Sequence, residues 1–580
     1  MATRNGLKLA AILASAFLWS NQQQSGFAQS PEACVLAGTV FDSVSNVGIP
    51  HALVSYSGPA SGFRFTDTGG NFRVEGVPCL VYSLMISKAG FVSGQDQSAR
   101  IRLFSRAPDH EDGESADQPG RPPNPENIPV DLKPGAQPAR IVLLPVSSVA
   151  GIVLDENSEP LAGAAVQGIA VRPSLSGTDY VPIQTARTDD RGHFALLNLT
   201  PGDYLVRLAG EVSATRYFVG NTLNPNNDHR GIQPVYYPNS DSALSASVLH
   251  LLPGERTNAD FRQTTEAAFD INGQLSNFAP QAWTRMQLYR DGDRLPLGVA
   301  YVNISSGQFR VVDVPRGIYT LRAVQYHGDP ADWFATEVPV MVASEPIRDL
   351  AVQLSSGINL PVTVSYEAGA EPAGMVQVRL QPQHTRDNLR MLSLGKFARP
   401  APQAGRNPPQ VTPQPDLGSS GPAALTNVIP DTYRLNVEVI GNGGSYVASA
   451  KLGEADVLHG EFTVTGSTAG ELHLTIKGNS ATVEGQVTSG GQPAQGAQVY
   501  LTPISGGGMG LKFGFCDEQG HYTIAGVAPG DYRIRAWKGS PAVKEILAGT
   551  GETLTLQPSE RRTVTLEAAT GSDVSEQKPL

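Results

Sequence analysis

The chain has 580 residues, with 43 Lys and Arg against 54 Asp and Glu and a formal net charge of −11, which excludes a nucleic-acid binder that relies on a general basic surface. Its 61 glycines, 44 prolines and low charged fraction of 17% are typical of strands and turns and exclude long solvated helices. At about 100–200 residues per domain, this length predicts several domains.

The N-terminus has the pattern of a secretion signal. Arg4 and Lys8 form a basic start, and residues 7–19 are apolar but too short to span a bilayer comfortably. Small residues before position 28 predict cleavage after Ala28, so 1–28 is a predicted signal peptide; the alternative is an uncleaved anchor. We therefore expect an exported protein in the periplasm, at the cell surface or outside the cell, with no transmembrane segment in the mature chain.

One motif recurs along the chain. Its full form runs from Asp189-x-x-Gly192-x-Phe194 through Pro201-Gly202 to Tyr204. The carboxylate can accept backbone N–H groups two residues on, the glycine suits a left-handed turn, and the apolar residues then alternate as in a strand. The other copies, some eroded, are Asp67 to Tyr82, Gly307 to Tyr319, Leu425 to Tyr433 and Asp517 to Tyr532. Each copy predicts strand, turn, strand, with the tyrosine opening the second strand.

Further strand patterns precede each copy, so about seven short strands recur every ~90–120 residues. We predict an all-β fold, a tandem array of about five small Greek-key β-sandwich modules of the prealbumin-like or Ig-like kind. The predicted boundaries are 31–147, 148–266, 267–356, 357–478 and 479–572. Two biased segments, 94–137 (acidic and Pro-rich) and 385–420 (Pro- and Gln-rich), are predicted to be disordered inserts.

Three cysteines are present. Cys34 and Cys79 lie in the same predicted module, and export would allow a disulfide between them; the alternative is two small buried side chains. Cys516 has no local partner. No paired cysteine spacing indicates zinc.

The repeat with its upstream strands reads Gly-x-Val-x-Asp, Pro-Leu-x-Gly-Ala-x-Val, Thr-Asp-x-x-Gly-x-Phe, Pro-Gly-x-Tyr, as in 151–204 and, with changes, 485–532. It resembles the carboxypeptidase regulatory-like domains of exported bacterial proteins. That resemblance implies a prealbumin-like (transthyretin-like) β-sandwich. It also implies accessory rather than catalytic modules, with starch-binding-like domains and adhesin repeats as structurally similar folds.

Patterns for catalysis are absent from the sequence. There is no His-Glu-x-x-His string, no Gly-x-Ser-x-Gly elbow and no Gly-x4-Gly-Lys-Ser/Thr loop. The acidic pairs at 189–190 and at Asp291 and Asp293 could supply calcium ligands, but turn formation explains them more simply. We expect no enzyme activity, no cofactor and no metal site.

Exposed aromatic side chains on a β-sandwich can stack on sugar rings. The candidates are Trp283, Trp333, Phe334, Trp537 and the pair Tyr236-Tyr237, with Trp333 expected to be exposed because it follows a turn sequence. Packing in a core or at a sheet edge is the competing interpretation for each of them.

These patterns together predict an exported, non-catalytic, multi-module binding or scaffold protein of the cell envelope, with polysaccharide as the first candidate ligand. One alternative is a protein–protein adhesin or envelope-assembly module whose partner is an envelope protein. The other is an accessory subunit of a separately encoded peptidase or transporter.

Overall fold

The structure is a computed structural model. It describes residues 33–93, 127–174, 177–209, 230–326, 333–367, 370, 375–383, 390–394, 423–440, 444–504, 510–538, 541, 543–547 and 551–570. The predicted signal peptide, most of both predicted inserts and the turn before Trp333 lie outside these residues. The chain divides into two compact units, the first formed by the described residues up to Phe41 together with Val47–Ile86 and Asn127–Ile141, and the second formed mainly by Val142 onward.

The described residues form strands almost throughout, which confirms the all-β fold of tandem small β-sandwich modules. The strands of the first module are β1 (Ala33–Asp42), β2 (Leu53–Ser57), β3 (Gly62–Phe65), β4 (Asn71–Pro78), β5 (Val81–Ser87), β6 (Phe91–Ser93), β7 (Asn127–Asp131) and β8 (Ala139–Pro145). One sheet has the order β4-β1-β8-β6 and the other β3-β2-β5-β7. Strand β7 lies within the segment 94–137, so the prediction of disorder was wrong for its last part: residues 127–131 pair with β5 as an edge strand.

The second module contains β9 (Ser147–Leu154), β10 (Ala165–Ser174), β11 (Gly177–Arg187), β12 (His193–Leu199), β13 (Gly202–Ala209), β14 (Arg230–Ile232), β15 (Val235–Tyr236), β16 (Leu249–Leu251), β17 (Arg256–Asn258) and β18 (Phe261–Arg262). The third contains β19 (Thr265–Ser276), β20 (Thr284–Arg290), β21 (Pro296–Val299), β22 (Tyr301–Val302), β23 (Gln308–Pro315), β24 (Gly317–Gln325), β25 (Phe334–Val342), β26 (Ile347–Gln353) and β27 (Ser355–Ser356).

The fourth module contains β28 (Ile358–Tyr366), β29 (Met375–Pro382), β30 (Arg390–Leu394), β31 (Ala424–Val428), β32 (Asp431–Ile440), β33 (Tyr446–Leu452), β34 (Ala455–Asp456), β35 (Glu461–Val464) and β36 (Leu472–Lys477). The last contains β37 (Ala481–Ser489), β38 (Gln492–Pro493), β39 (Gln498–Pro503), β40 (Lys512–Phe515), β41 (His521–Val527), β42 (Gly530–Lys538), the helix α1 (Val543–Leu547), β43 (Glu552–Leu556), β44 (Arg561–Thr563) and β45 (Leu566–Thr570). Strand β30 pairs with β29 inside the predicted insert 385–420, so the prediction of disorder was wrong for 390–394 as well.

The second, third, fourth and last modules share one topology. The first long strand pairs antiparallel with the strand after the repeat's turn and parallel with the module's closing strands: β9 with β12, β17 and β18; β19 with β23 and β26; β28 with β31 and β36; β37 with β41, β44 and β45. The tyrosine strand, β13, β24, β32 or β42, pairs antiparallel with β10, β20, β29 or β39. These pairs belong to a second sheet in the second, third and fourth modules, whereas in the last module β45 pairs with both β37 and β42 and joins all the strands into one nine-stranded sheet. Each of these four modules has its own apolar core.

The turn of the repeat forms as its residues predict. The Asp189 carboxylate accepts hydrogen bonds from the backbone N–H groups of Arg191 at 2.9 Å and His193 at 2.8 Å. The same two bonds form at Asp67 and Asp517. The turn glycines have φ near +77° to +79°, where an added Cβ is strained: Gly70, Gly192 and Gly520. The hydrogen bond from the His193 backbone N–H also holds the pKa of the Asp189 carboxyl below its usual value, because it stabilises the charged form.

The repeat's tyrosine closes a corner of each of these four sandwiches. Its hydroxyl donates to the backbone carbonyl four residues upstream: Tyr204 to Thr200 at 2.6 Å, Tyr319 to Pro315 at 2.9 Å, Tyr433 to Ile429 at 2.8 Å and Tyr532 to Ala528 at 2.8 Å. The arrangement is a tyrosine corner. It satisfies a buried carbonyl and fixes the start of the strand whose outer face carries the side chains described below.

The glycine of the first strand allows two backbones to approach closely. A Cβ on Gly485 would lie 1.8 Å from the carbonyl oxygen of Val564, and one on Gly151 would lie 2.2 Å from that of Ala259. Each carbonyl belongs to the short break between two closing strands that both pair with the first strand, between β44 and β45 or between β17 and β18. A larger side chain would push the closing strand away from the first strand.

Strand β14 links the second and third modules. It precedes β16 and β17, which pair with β13 and β9 of the second module, yet β14 itself pairs antiparallel with β19 of the third, with Gly231 opposite Glu266. Its Ile232 packs in the core of the second module. The predicted boundary after residue 266 therefore assigns β14 to the second module although its strand pairing lies in the third. The repeat pattern gives no indication of this link.

Candidate functional site

Two of the candidate aromatic residues lie where the third module meets the fourth. Trp333 is only 7% exposed and packs with Val324, Ala335 and Ile429. Its carbonyl accepts a hydrogen bond from the Asn427 side chain at 3.1 Å. Phe334 is partly buried against the third module's own core. The turn sequence predicted exposure for Trp333, but the next module covers it, so its ring is not open to a sugar.

Trp537 in the last module is buried as well, at 2% exposure. Its ring meets Tyr500 edge-on at 5.6 Å, packs with Ile546 of α1 and lies under the Arg535 guanidinium at 5.0 Å. The helix covers the face on which a sugar would have to stack. Trp537 is therefore a packing residue, contrary to its place among the candidate ligand contacts.

Trp283 alone among the tryptophans of the described residues is exposed, at 58%. Its ring lies against the Tyr326 ring with centroids 4.5 Å apart and planes 36° apart, and the Arg285 guanidinium is 5.5 Å from its centroid. The Tyr326 N–H also donates to the Trp283 carbonyl at 2.9 Å. These contacts hold one face of the indole while leaving much of it open to solvent.

A buried ion pair joins the second and third modules. Arg207 on β13 is fully buried, and its Nη2 lies 3.4 Å from Oδ2 of Asp293, while its Nη1 donates to the Pro296 carbonyl at 2.9 Å. The Tyr236 hydroxyl donates to the same carboxylate at 2.8 Å, and burial raises the pKa of Tyr236 far above its usual value. Tyr236 and Asp293, considered above as a sugar contact and a calcium ligand, instead complete this pair.

A second buried ion pair joins the third and fourth modules. Arg322 on β24 is 3% exposed and donates to Asp431 Oδ2 at 2.8 Å, to the Pro430 carbonyl at 2.9 Å and to Glu337 at 2.9 Å. Asp431 is fully buried. Burial lowers the pKa of Arg322, but the Asp431 and Glu337 carboxylates more than offset this and leave it above its usual value.

The two arginines occupy equivalent positions. Arg207 and Arg322 each follow the tyrosine of the repeat by three residues, after Tyr204 and Tyr319. Because side chains alternate along a strand, both arginines project from the outer face of the second sheet, on the side opposite to the tyrosine. Sequence reasoning missed them, although the recurrence of Tyr-x-x-Arg was the available signal.

Weaker charge contacts accompany these junctions. Arg294 of the third module donates to Glu461 of the fourth at 3.1 Å, at a partly exposed position. Lys512 of the last module is largely buried, which lowers its pKa, and the charge of Glu438 in the fourth partly offsets that effect. Charges of opposite sign thus face each other from neighbouring modules.

Chemically reactive groups do not gather at a site in the described residues. Burial raises the pKa of the Cys516 thiol to about 11, so the group is a protonated thiol at neutral pH. Within the described ranges, no group of three or more His, Cys, Asp or Glu could hold a metal ion. An open groove of about 380 Å³ in the last module is lined by Glu484, Gly485, Gln486, His521, Tyr522, Thr523, Thr563 and Thr565, with the Glu484 carboxylate bound to Arg561 at 2.6 Å.

Two further features bear on location. A disulfide joins Cys34 at the start of β1 to Cys79 just after β4. Among the residues that the structure describes, no helix has the length and apolar character needed to cross a membrane.

No family model and no curated protein matches this chain. Solved structures that match include the TIE protein of Bacillus anthracis, with 13% identity, 56% of this chain and 51% of that one covered and a TM-score of 0.16. They also include a streptococcal ancillary pilin, with 11% identity, 56% of this chain and 98% of that one covered and a TM-score of 0.17. A third is the major pilin subunit BcpA of Bacillus cereus, with 10% identity, 73% of this chain and 98% of that one covered and a TM-score of 0.12. The chain thus spans about half the length of the TIE protein. TM-scores this low carry no argument about function, and the assignment to tandem all-β sandwich modules rests on the chain's own sheets.

Proposed function

We propose that this chain is an exported, non-catalytic scaffold of five β-sandwich modules of the carboxypeptidase regulatory-like kind, acting at or beyond the cell envelope. The observation that carries the proposal is the pair of buried Arg–Asp junctions, Arg207 with Asp293 and Arg322 with Asp431. They join three successive modules at equivalent positions.

A buried ion pair is costly unless its geometry is maintained, because both charges have lost their hydration. Modules tethered by flexible linkers would keep such side chains in water. The arginines of β13 and β24, each placed against a carboxylate of the next module, therefore favour fixed spacing between these three modules. Fixed spacing between modules suits a scaffold, because partners bound to different modules would be held at set distances from each other.

Export is supported by two independent features. The predicted signal peptide is one, and the disulfide between Cys34 and Cys79 is the other, because such bonds persist mainly in oxidising compartments. Non-catalysis is supported within the described residues by the lack of a cluster of His, Cys, Asp or Glu and by the protonated state of the Cys516 thiol at neutral pH. Purified mature chain should release no amino acid from C-terminal peptide substrates.

The test measures spacing between modules in the mature chain. Spin labels on Glu159→Cys and Glu345→Cys, two exposed positions in the second and third modules, should give one narrow distance distribution. A pair within the second module, Glu159→Cys with Asp190→Cys, supplies the width expected for a rigid body. A between-module distribution several times broader than this control would contradict the scaffold proposal.

A second candidate function, polysaccharide binding, is favoured by one observation, the indole of Trp283, which is 58% exposed and contacts Tyr326 and Arg285. An exposed aromatic ring with a guanidinium beside it suits a sugar ring that carries acidic groups. Trp283→Ala should abolish binding of the mature chain to a glycan array. Met341→Ala, which truncates another exposed apolar residue of the same module, should not. Absence of binding by the unmodified chain at millimolar glycan would overturn this candidate.

A further inference from the structure

The last module carries three aromatic side chains on the side of its strands opposite to its core. Tyr500 on β39, Phe513 on β40 and Trp537 on β42 face outward, because their neighbours along the strands, such as Val499 and Ala536, are core residues. The Tyr500 ring centroid lies 6.2 Å from that of Phe513 and 5.6 Å from that of Trp537. We call these three side chains the aromatic cluster of the last module.

The helix α1 covers the aromatic cluster. Its Ile546 is 5% exposed and packs with Tyr500 and Trp537, which are 4% and 2% exposed. The helix has only five residues, and a helix this short is not stable by itself in water. Its position therefore depends on the surfaces that it contacts.

One of these surfaces belongs to a module far away in the sequence. The helix lies against β39 of its own module and also against β10 of the second module. The third and fourth modules separate these two modules in the sequence, yet they join them through the two buried ion pairs and the charges of Glu438 and Lys512. The contact of α1 with β10 therefore closes a cycle of four modules. Because the other junctions already hold α1 near β10, this contact forms at a low entropic cost.

The aromatic cluster lies on a face that the repeat uses for contacts between modules. Arg535 follows Tyr532 by three residues, as Arg207 and Arg322 follow their own tyrosines, and its guanidinium lies over the Trp537 ring. In the second and third modules the following module covers this face. In the last module α1 lies over it instead, and the module that α1 reaches is the second.

The covered state leaves one polar group without a partner. The Trp537 Nε1 atom is buried and has no hydrogen-bond acceptor among the residues that the structure describes. An uncovered indole N–H would bind water, so covering it loses a hydrogen bond. This loss opposes the gain from burying Ile546 and the aromatic cluster. Opposing contributions of this kind favour a contact that opens and closes.

We propose that α1 is a reversible latch between the last and second modules. In the closed state it covers the aromatic cluster and holds the last module against β10. In the open state the two modules separate and each keeps its own core, because Ile546 is part of neither core. The latch rests on the fixed junctions of the proposed function, since these junctions keep β10 within reach of the helix.

Labelling of Trp537 by hydroxyl radicals measures the covering of the aromatic cluster in the mature chain. Ile546→Asp places a carboxylate against Tyr500 and Trp537 and should speed labelling of Trp537 by about tenfold or more. Ile504→Asp changes an apolar residue of the same module that is 44% exposed, and it should leave this labelling unchanged. The latch is refuted if Ile546→Asp has no effect on Trp537. It is also refuted if the core residue Tyr522 is labelled faster to the same extent, because the whole module then unfolds.

Spin labels measure the closure of the cycle. Glu159→Cys and Glu518→Cys, at exposed positions of the second and last modules, should give a narrow distance distribution in the parent chain. Ile546→Asp should broaden it several-fold, and the control variant should keep it narrow. A broad distribution in the parent chain, or one that Ile546→Asp leaves unchanged, would overturn the latch. A narrow distribution between the second and third modules alongside either result would leave the scaffold proposal standing, so the two failures are distinguishable.

Discussion

The junction between the third and fourth modules makes a quantitative prediction. In Asp431→Ala the Arg322 guanidinium loses the carboxylate that it contacts at 2.8 Å and keeps its bonds to Glu337 and the Pro430 carbonyl. Removing one member of a buried ion pair leaves the other charge unpaired, which costs about 3–5 kcal/mol. Because Glu337 still contacts Arg322, we expect a cost near the lower end of this range, about 3 kcal/mol.

The junction can relieve that cost by opening. Opening hydrates Arg322 but returns Trp333 and Ile429, now 7% and 0% exposed, to water. Each large apolar side chain contributes about 1.5–3 kcal/mol on burial, so the two opposing terms are of similar size. We therefore expect Asp431→Ala to populate an open junction rather than to unfold either module.

Oxidative labelling of side chains by hydroxyl radicals measures this opening in the mature chain. A loss of about 3 kcal/mol should raise the population of the open junction by roughly 100-fold, seen as faster labelling of Ile429, which is fully buried when the junction is closed. The buried Tyr522 of the last module provides the internal control and should not change. The double variant Arg322→Met with Asp431→Leu removes both charges and should be labelled at Ile429 within about tenfold of the parent chain, since an apolar replacement of a buried pair is often neutral. If Ile429 is labelled equally fast in the single and double variants, the reasoning about the ion pair is refuted.

Three further predictions concern local features. Gly485→Ala places a Cβ 1.8 Å from the Val564 carbonyl and should destabilise the last module by about 1–3 kcal/mol in urea unfolding; an unchanged midpoint would contradict the close approach. Replacing both Cys34 and Cys79 with serine opens a bridge of sequence separation 45 and should cost the first module about 4 kcal/mol, measured by pulse proteolysis, whereas equal protease resistance would contradict it. Deleting residues 230–232 should speed hydrogen exchange at the start of β19 and leave β37 unchanged; protection at β19 that survives the deletion would show that β14 is dispensable.

The features that sequence reasoning predicted correctly are local ones. Asp189 and Gly192 form their turn because the carboxylate bonds to backbone two and four residues on, and such geometry needs no distant partner. The two-residue alternation after the turn likewise predicts strands with one buried face. The tyrosine was predicted to open a strand, but its hydroxyl bond to the carbonyl four residues upstream was not foreseen.

The features that sequence reasoning missed depend on contacts between modules. Trp333 was expected in solvent because a turn sequence precedes it, yet Ile429 of the next module covers it. Arg207 and Arg322 share the spacing Tyr-x-x-Arg, but this spacing does not indicate burial, since an arginine on an outer strand face is ordinarily solvated. The repeat predicts the strands and turns within a module. It does not predict the contacts between modules, because the contacting surface belongs to another module with different residues.

The position of β14 has a consequence for how such a chain could be rearranged. Because β14 is encoded before the segments that finish the second module yet pairs with β19, a cut at any single point between residues 233 and 264 separates two paired strands. Moving either module by itself would leave backbone groups of β14 or of the start of β19 without their strand partner. The smallest unit of this stretch that could be moved intact is accordingly a pair of sandwiches rather than one.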